Sequence, residues 1–230
     1  MSIYSGVKIE ENSREWKKQE ITKEIKVEKL GERSFLVVEN GRKFVKKCFK
    51  GFNEEVLDDV FNGIANWLHL RGVDRVQRLV RLDVDEMCVY AEYVEGVNLR
   101  EYVAKHGGRL GEEKATCVCL EIATVLKKAL DKGVIHRDLK PENVIITQDR
   151  KITVIDWEFS VRLDAKPRVP IGTLNYIPPE GRDVSELKMP GKYDVFRLGA
   201  MLNEMITGKP YRTLTSRNKI LVELVSKTSS

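Results

Sequence analysis

The sequence predicts an α+β fold, with strands first and helices after. Three observations carry that expectation. Two early runs, Leu30–Val38 and Arg42–Lys50, read as strands, and a third over Met87–Leu99 breaks at Gly96. From Leu110 the period changes: Leu110, Ala115, Val118, Cys119, Ile122, Ala123, Leu126 and Ala129 recur at helical spacing, and Gly133 follows as a stop signal. Further on, the short apolar runs Val144–Ile146 and Lys151–Ile155 flank Thr147–Arg150, which reads as a hairpin turn.

Taken in order, Lys8 to Lys29 mixes charges of both signs, as a solvated helix or strand lead-in does. Leu30–Val38 reads as a hairpin strand carrying Gly31 and a solvated Arg33. In Arg42–Lys50 side chains alternate across the strand, so Val45, Lys47 and Phe49 share a face. A lysine between two apolar residues suits the inner face, which favours Lys47, with Lys46 the runner-up; a pair of solvated lysines is the alternative. A helix from about Asn53 to Leu70 follows, its acids Glu54, Glu55, Asp58 and Asp59 crowding the first two turns, where the helix dipole alone favours them. The Leu110–Ala129 helix delivers the chain to Val134, and its apolar stripe is core.

The chemistry sits in His136–Ile146. Asp138, Lys140 and Asn143 supply a carboxylate, a cation and an amide at fixed offsets, leading into a β-branched run. Phosphoryl transfer needs these parts: a base for a hydroxyl, a positive group near the transferring phosphate and an oxygen ligand for a metal. Strands meeting at Asn143 and Asp156 set an amide beside a carboxylate. That pair suits hard divalent ions, which share their ligands with phosphates. A surface turn between helix and strand is the alternative.

His136–Ile146 resembles the catalytic loop of the eukaryotic-type protein kinases almost residue for residue. Asp156-Trp157-Glu158 resembles that family's Asp-Phe-Gly, with Glu158 in place of the flexible glycine. Gly172-Thr173-Leu174-Asn175-Tyr176-Ile177-Pro178-Pro179-Glu180 resembles the end of its activation segment, with Pro178 for alanine. Tyr193–Gly199 is similar to the start of its long buried helix, and Met87–Leu99 to its hinge. Each motif is weak alone; in the family's order and near its spacing they are strong together. The resemblance covers roughly residues 28 to 211.

The resemblance implies a bilobal, protein-kinase-like fold: an N-terminal extension over 1–27, a small mainly β lobe over 28–95 and a shortened mainly α lobe over 96–230. It implies a Ser/Thr protein kinase using ATP with Mg2+ or Mn2+ on protein substrates. Asp138 would accept the hydroxyl proton, Lys140 would stabilise charge on the γ-phosphoryl group, and Thr173 would bridge the two. Asn143 and Asp156 would hold the metal, and Lys47 would position the α- and β-phosphates. Backbone groups of Glu92 and Val94 would bind adenine, with Ala91 at the gatekeeper place predicting an enlarged pocket. Gly31 alone survives of a phosphate-covering glycine loop, so Arg33 is the candidate for a direct phosphate contact. Asp194 would anchor the catalytic loop, and Glu180 would pair with an arginine, Arg212 or Arg217 serving in place of the usual one. The helix acid that partners the lysine has no identifiable counterpart. Arg137 often receives a loop phosphate in this family, yet Val161–Ile171 lacks Ser, Thr and Tyr. Activity without loop phosphorylation is therefore expected, with Asp164 as a built-in partner.

Two other classes compete. The lost glycines, Glu158 and the unplaced helix acid favour a pseudokinase acting as a nucleotide-binding scaffold or a kinase inhibitor; intact Asp138, Lys140, Asn143 and Asp156 oppose it. A small-molecule kinase of related fold usually lacks the lysine and threonine that stand here as Lys140 and Thr173.

The 230 residues suffice for one large or two small domains. After Tyr211 there is room for one short helix, around Ser216 to Val225. No apolar stretch reaches the roughly 20 residues that span a membrane, and no secretory signal is evident. A net charge of +5 permits an acidic partner without giving a specific nucleic-acid signal. Cys48, Cys88, Cys117 and Cys119 form no metal spacing and are expected as free thiols in a reducing cytoplasm. His69 and His106 are expected to be structural and without partners. A charged fraction of 33% with only Gln19, Gln77 and Gln148 as glutamines leans toward a thermophilic source.

Overall fold

The computed structural model describes residues 25–165, 173–177 and 191–211. The first half is built on an antiparallel sheet of five strands: β1 (Ile25–Lys29), β2 (Ser34–Glu39), β3 (Arg42–Cys48), β4 (Leu79–Asp83) and β5 (Cys88–Glu92), in the order β1-β2-β3-β5-β4. The β2–β3 hairpin turns on Asn40-Gly41, both at positive φ (52° and 74°), the residue pair that a two-residue turn of this hand demands. Between β3 and β4 runs α1 (Glu54–His69), started by the Asn53 side chain, which accepts from the Val56 N–H at 2.9 Å.

The second half is helical. β6 (Val97–Asn98) leads into α2 (Leu99–Lys105), and α3 (Glu112–Asp131) brings the chain to β7 (Val134–Ile135). The stretch from His136 follows and ends in β8 (Val144–Ile146), which pairs with β9 (Ile152–Val154) and β6. β10 (Val161–Arg162) pairs with β7, and α4 (Lys192–Thr207) packs against α3. The apolar stripe of α3 is buried as its period requires, with Ala115, Cys119, Ile122, Leu126 and Ala129 inside; Val125 joins them. Gly133 sits at φ 74°, a conformation that ends the helix without side-chain cost. The run over Met87–Leu99 divides into β5 and β6. At the break a Cβ on Gly96 would stand 2.3 Å from the Ile146 carbonyl oxygen, so the chain there passes flat against β8.

One apolar cluster joins the halves: Val60, Ile64 and Trp67 of α1 lie in the same core as Leu99, Ile122, Val154 and Met201. No helix among the described residues is long and apolar enough to cross a membrane.

Two expectations about side chains are overturned. Cys48 and Cys88 are not free thiols: they face each other across β3 and β5 and form a disulfide. Their separation of 40 residues hides that strand register makes them neighbours. His106 is not without partners, for its ring meets the Tyr102 carbonyl at 2.8 Å and Lys114 Nζ at 3.2 Å. Glu180, Arg212, Arg217 and the helix expected around Ser216 to Val225 lie outside the described residues.

Candidate active site

The backbone of the His136–Ile146 loop hangs from α4. Asp194, in the first turn of that helix, accepts from the N–H groups of His136 (2.7 Å) and Arg137 (3.0 Å). Arg137 is thereby held at φ 69°, a conformation that bulky residues adopt only under outside constraint. His136 is fully buried and makes a ring contact with Trp157. Its Nε2 meets the Ile155 carbonyl at 2.9 Å, and its Nδ1 accepts from the Asp138 N–H at 3.2 Å. Burial pushes the imidazole below its ordinary pKa, so the ring is neutral and ties the two acid-bearing segments together.

Asp138 stands at the centre of a polar set. Lys140 Nζ lies 2.8 Å from one carboxylate oxygen, and Thr173 Oγ1 donates to the other at 3.3 Å. Arg197, buried in α4, donates to the Leu139 carbonyl at 3.3 Å and reaches 3.7 Å from Asp138. The Asn143 amide nitrogen is committed to the Asp138 carbonyl at 2.9 Å, which leaves its oxygen as the group to offer a ligand.

β8 and β9 bring Asn143 and Asp156 to one end of their hairpin, where the Ile155 N–H donates to the Asn143 carbonyl at 3.0 Å. Both side chains line a recess of about 520 Å³ with Lys140, Glu142, Thr173 and Tyr176. Asp156 also lines a second cavity, of about 370 Å³, with Leu30, Val45, Lys47, Val94 and Ile145. The two cavities share the side chains of Asp156 and Glu142. No group of three His, Cys, Asp or Glu side chains arranged to hold a metal ion exists among the described residues. Asp156 and Asn143 together offer one carboxylate and one amide oxygen here. That incomplete set fits a Mg2+-type ion, which is usually held by one or two carboxylates together with substrate phosphates.

Lys47 of β3 points into the cleft and is 9% exposed. Its ammonium lies 2.6 Å from Asp156 and 2.6 Å from Glu158. Burial works against the charge, but the two carboxylates outweigh it and hold the lysine above its ordinary pKa. Lys46 points to the other face and pairs with exposed Glu86.

Other expected residues are placed differently. Gly31 is exposed in the Leu30–Ser34 turn and does not line the cleft. Arg33 stacks on the Phe52 ring at 3.9 Å. Val94 lines the cleft, and the Glu92 carbonyl accepts from Gln77 Nε2 at 2.8 Å. Ala91 is buried and absent from the lining; Gln77 lines the cleft instead, its Oε1 accepting from the Asp156 N–H at 3.1 Å. The expected pairing of Asp164 with Arg137 is replaced. Asp164 is exposed beside Arg162, and Arg137 Nη1 lies 3.1 Å from buried Asp59 of α1.

Four residues of this centre were not singled out for it by sequence: Gln77, Asp59, Arg197 and Glu158 as a lysine partner. Glu158 stood out only as a departure from glycine, and Asp59 only as one acid among several. A larger cavity, about 910 Å³, lies by Tyr102, Lys114 and Thr147 and meets the cleft at Tyr93 and Gly96.

The protein kinase domain family matches residues 33–228. Among similar curated proteins, rat serine/threonine-protein kinase PAK 5 is 33% identical over 129 residues, 55% of this chain and 17% of that protein. The Aurora kinase of Patiria pectinifera is 33% identical over 149 residues, 62% of this chain and 35% of its own length. The fission yeast serine/threonine-protein kinase cds1 is 29% identical over 171 residues, 71% of this chain and 36% of that protein. The chain thus spans between about a sixth and just over a third of these relatives.

Proposed function

Since the chain belongs to the eukaryotic-type protein kinase family, we propose that it transfers the γ-phosphoryl group of ATP to Ser or Thr hydroxyls of protein substrates. The observation that carries this reading is the sharing of Asp156 between a cleft holding Lys47 and a recess holding Lys140, Asn143 and Thr173. A nucleotide in the cleft and a hydroxyl in the recess would meet at that carboxylate.

In this mechanism Asp138 orients the substrate hydroxyl and takes its proton as the oxygen–phosphorus bond forms; the bond to the bridging oxygen breaks and ADP leaves. Lys140 steadies the negative charge on the transferring group. Thr173 fixes the Asp138 carboxylate, a role that supports Ser/Thr over Tyr acceptors. Lys47 grips the α- and β-phosphates, and the backbone of Val94, which lines the cleft, takes the adenine edge. Asn143 and Asp156 would hold Mg2+ or Mn2+, which when bound neutralises phosphate charge. The strand-rich part to residue 95 then serves the nucleotide, and the helical part beyond it serves the acceptor.

A second reading, a nucleotide-binding scaffold with little catalysis, is favoured by one observation: Lys47 is already engaged by both Asp156 and Glu158. The test is incubation with γ-labelled ATP and Mg2+ or Mn2+, with and without a generic basic acceptor protein. Asp138→Asn and Asp156→Ala run beside the parent chain. Transfer to Ser or Thr that both substitutions abolish is the expected result; nucleotide binding without transfer by the parent favours the scaffold.

A further inference from the structure

In the family that this chain resembles, the phosphate-gripping lysine is held by a glutamate from the helix that follows it. Here that helix is α1, and the face it turns to the site offers no such group. Asp59 is spent on Arg137, at 3.1 Å and almost fully buried on both sides. One turn on is Gly63, where a Cβ would stand 2.0 Å from the Glu158 carbonyl oxygen. The helix surface is therefore bare at this point because the backbone of Glu158 and Phe159 lies directly on it. Two hydrogen bonds fasten the contact: Ser160 Oγ donates to the Gly63 carbonyl at 3.2 Å, and Asn66 Nδ2 donates to the Ser160 carbonyl at 3.0 Å.

A segment docked in this way fills the gap between helix and lysine, and it carries its own acid. Glu158 is 6% exposed, and its Oε1 lies 2.6 Å from Lys47 Nζ. Its other oxygen, Oε2, is buried without a hydrogen-bond partner among the described residues. Burying a carboxylate is costly unless a partner compensates for the lost water, and the partner that this side chain reaches is Lys47.

We propose that Glu158 is the positioning residue for Lys47: the acid that holds the phosphate-facing lysine comes from the segment bearing Asp156, and not from helix α1. The inference rests on the kinase reading above. It puts the acid behind the lysine and the metal-side carboxylate, Glu158 and Asp156, two residues apart on one strap, which assembles without a swing of the helix. Asp156 turns to the metal and phosphates when nucleotide enters, while Glu158 stays behind the lysine and keeps its ammonium aimed.

The experiment compares the parent chain with Glu158→Gln, Lys47→Met, the double variant and Asp59→Asn. It uses two readouts: kcat/KM for ATP, and the rate at which an amine-acylating reagent modifies Lys47, read by peptide mass spectrometry. Glu158→Gln keeps the shape and removes the charge. The expected result is a fall in kcat/KM of roughly 10²-fold, the scale on which misplacing a catalytic group acts. The substitution should cost nothing further in the Lys47→Met background, and Lys47 should be acylated faster in Glu158→Gln but not in Asp59→Asn. An active parent whose kcat/KM ignores Glu158→Gln overturns the inference and leaves the kinase reading standing. So does a multiplicative loss in the double variant, or an unchanged Lys47 acylation rate. A parent that transfers no phosphate overturns the kinase reading and this role with it. Acylation, which needs no turnover, separates that failure from a missing Lys47–Glu158 pair.

Discussion

Lys46 and Lys47 are adjacent in sequence and lie on opposite faces of β3, so one step along the strand decides which of them meets the cleft. The flanking apolar residues Val45 and Phe49 made that step legible. Lys46→Ala removes an ion pair to an exposed acid and should lower stability by less than about 1 kcal/mol, with transfer little changed. Lys47→Met should cost transfer about 10²–10³-fold, the range for losing one preorganised charge-stabilising group. Equal losses from both would contradict the register. His136 gives a pH prediction. Its folded pKa lies below the ordinary value of 6.5 because burial disfavours the charged ring. The unfolded chain therefore binds a proton that the folded chain refuses. The stability this group contributes is complete above about 6.5 and is lost as pH falls below it. Thermal melts between pH 8 and 5.5 should show the midpoint falling toward acid, and His136→Gln should flatten part of that slope. An unchanged slope in the variant would mean that the ring is not the titrating group.

At the scale of elements, the readable parts were those with a strong local signal. Asn53 and Gly133 bracket helices because cap and stop chemistry is local, and the α3 stripe follows from its period. What could not be read was long-range. No spacing rule tells that Asp59 faces Arg137 across 78 residues, or that Gln77 links the Glu92 carbonyl to the Asp156 N–H. The contact of α1 with the strap over Glu158–Ser160 is likewise set by packing, and Gly63 is its most sensitive point. In an isolated helix Gly→Ala is favourable by about 1 kcal/mol. Here the added methyl meets backbone, which cannot rotate away as a side chain can. Gly63→Ala should therefore reverse the propensity gain and destabilise the protein by about 1–3 kcal/mol, the usual cost of overfilling a packed site. Denaturant unfolding measures it; a stabilised variant would show that the strap does not lie on the helix.

Across the whole molecule the sheet half and the helical half share one apolar core, running from Phe49 and Trp67 to Met201 and Met205. Parts with a common core lose it together, so unfolding should be a single cooperative transition. The Cys48–Cys88 bond acts on that transition as a whole. It closes a loop of 40 residues containing α1 and β4, and its removal returns conformational freedom to the unfolded chain. On the chain-entropy account a loop of this length is worth about 4 kcal/mol. For a protein of this size that corresponds to a melting temperature about 8–16 °C lower, at roughly 2–4 °C per kcal/mol. Such bonds persist in oxidising compartments and in the interiors of hyperthermophiles, and are reduced in most cytosols. Thiol counting checks the chemistry independently. Cys117 is exposed, whereas Cys119 is buried and its thiol is pushed up to about 11, so a thiol reagent near pH 8 should find one fast group in the native oxidised protein. After unfolding under reductant it should find all four cysteines. One fast thiol together with a lowered midpoint in reductant establishes the bond as a strut of the fold. Three or four thiols in the unreduced, unfolded protein, with a midpoint indifferent to reductant, would restore Cys48 and Cys88 to the free thiols that their sequence context suggested.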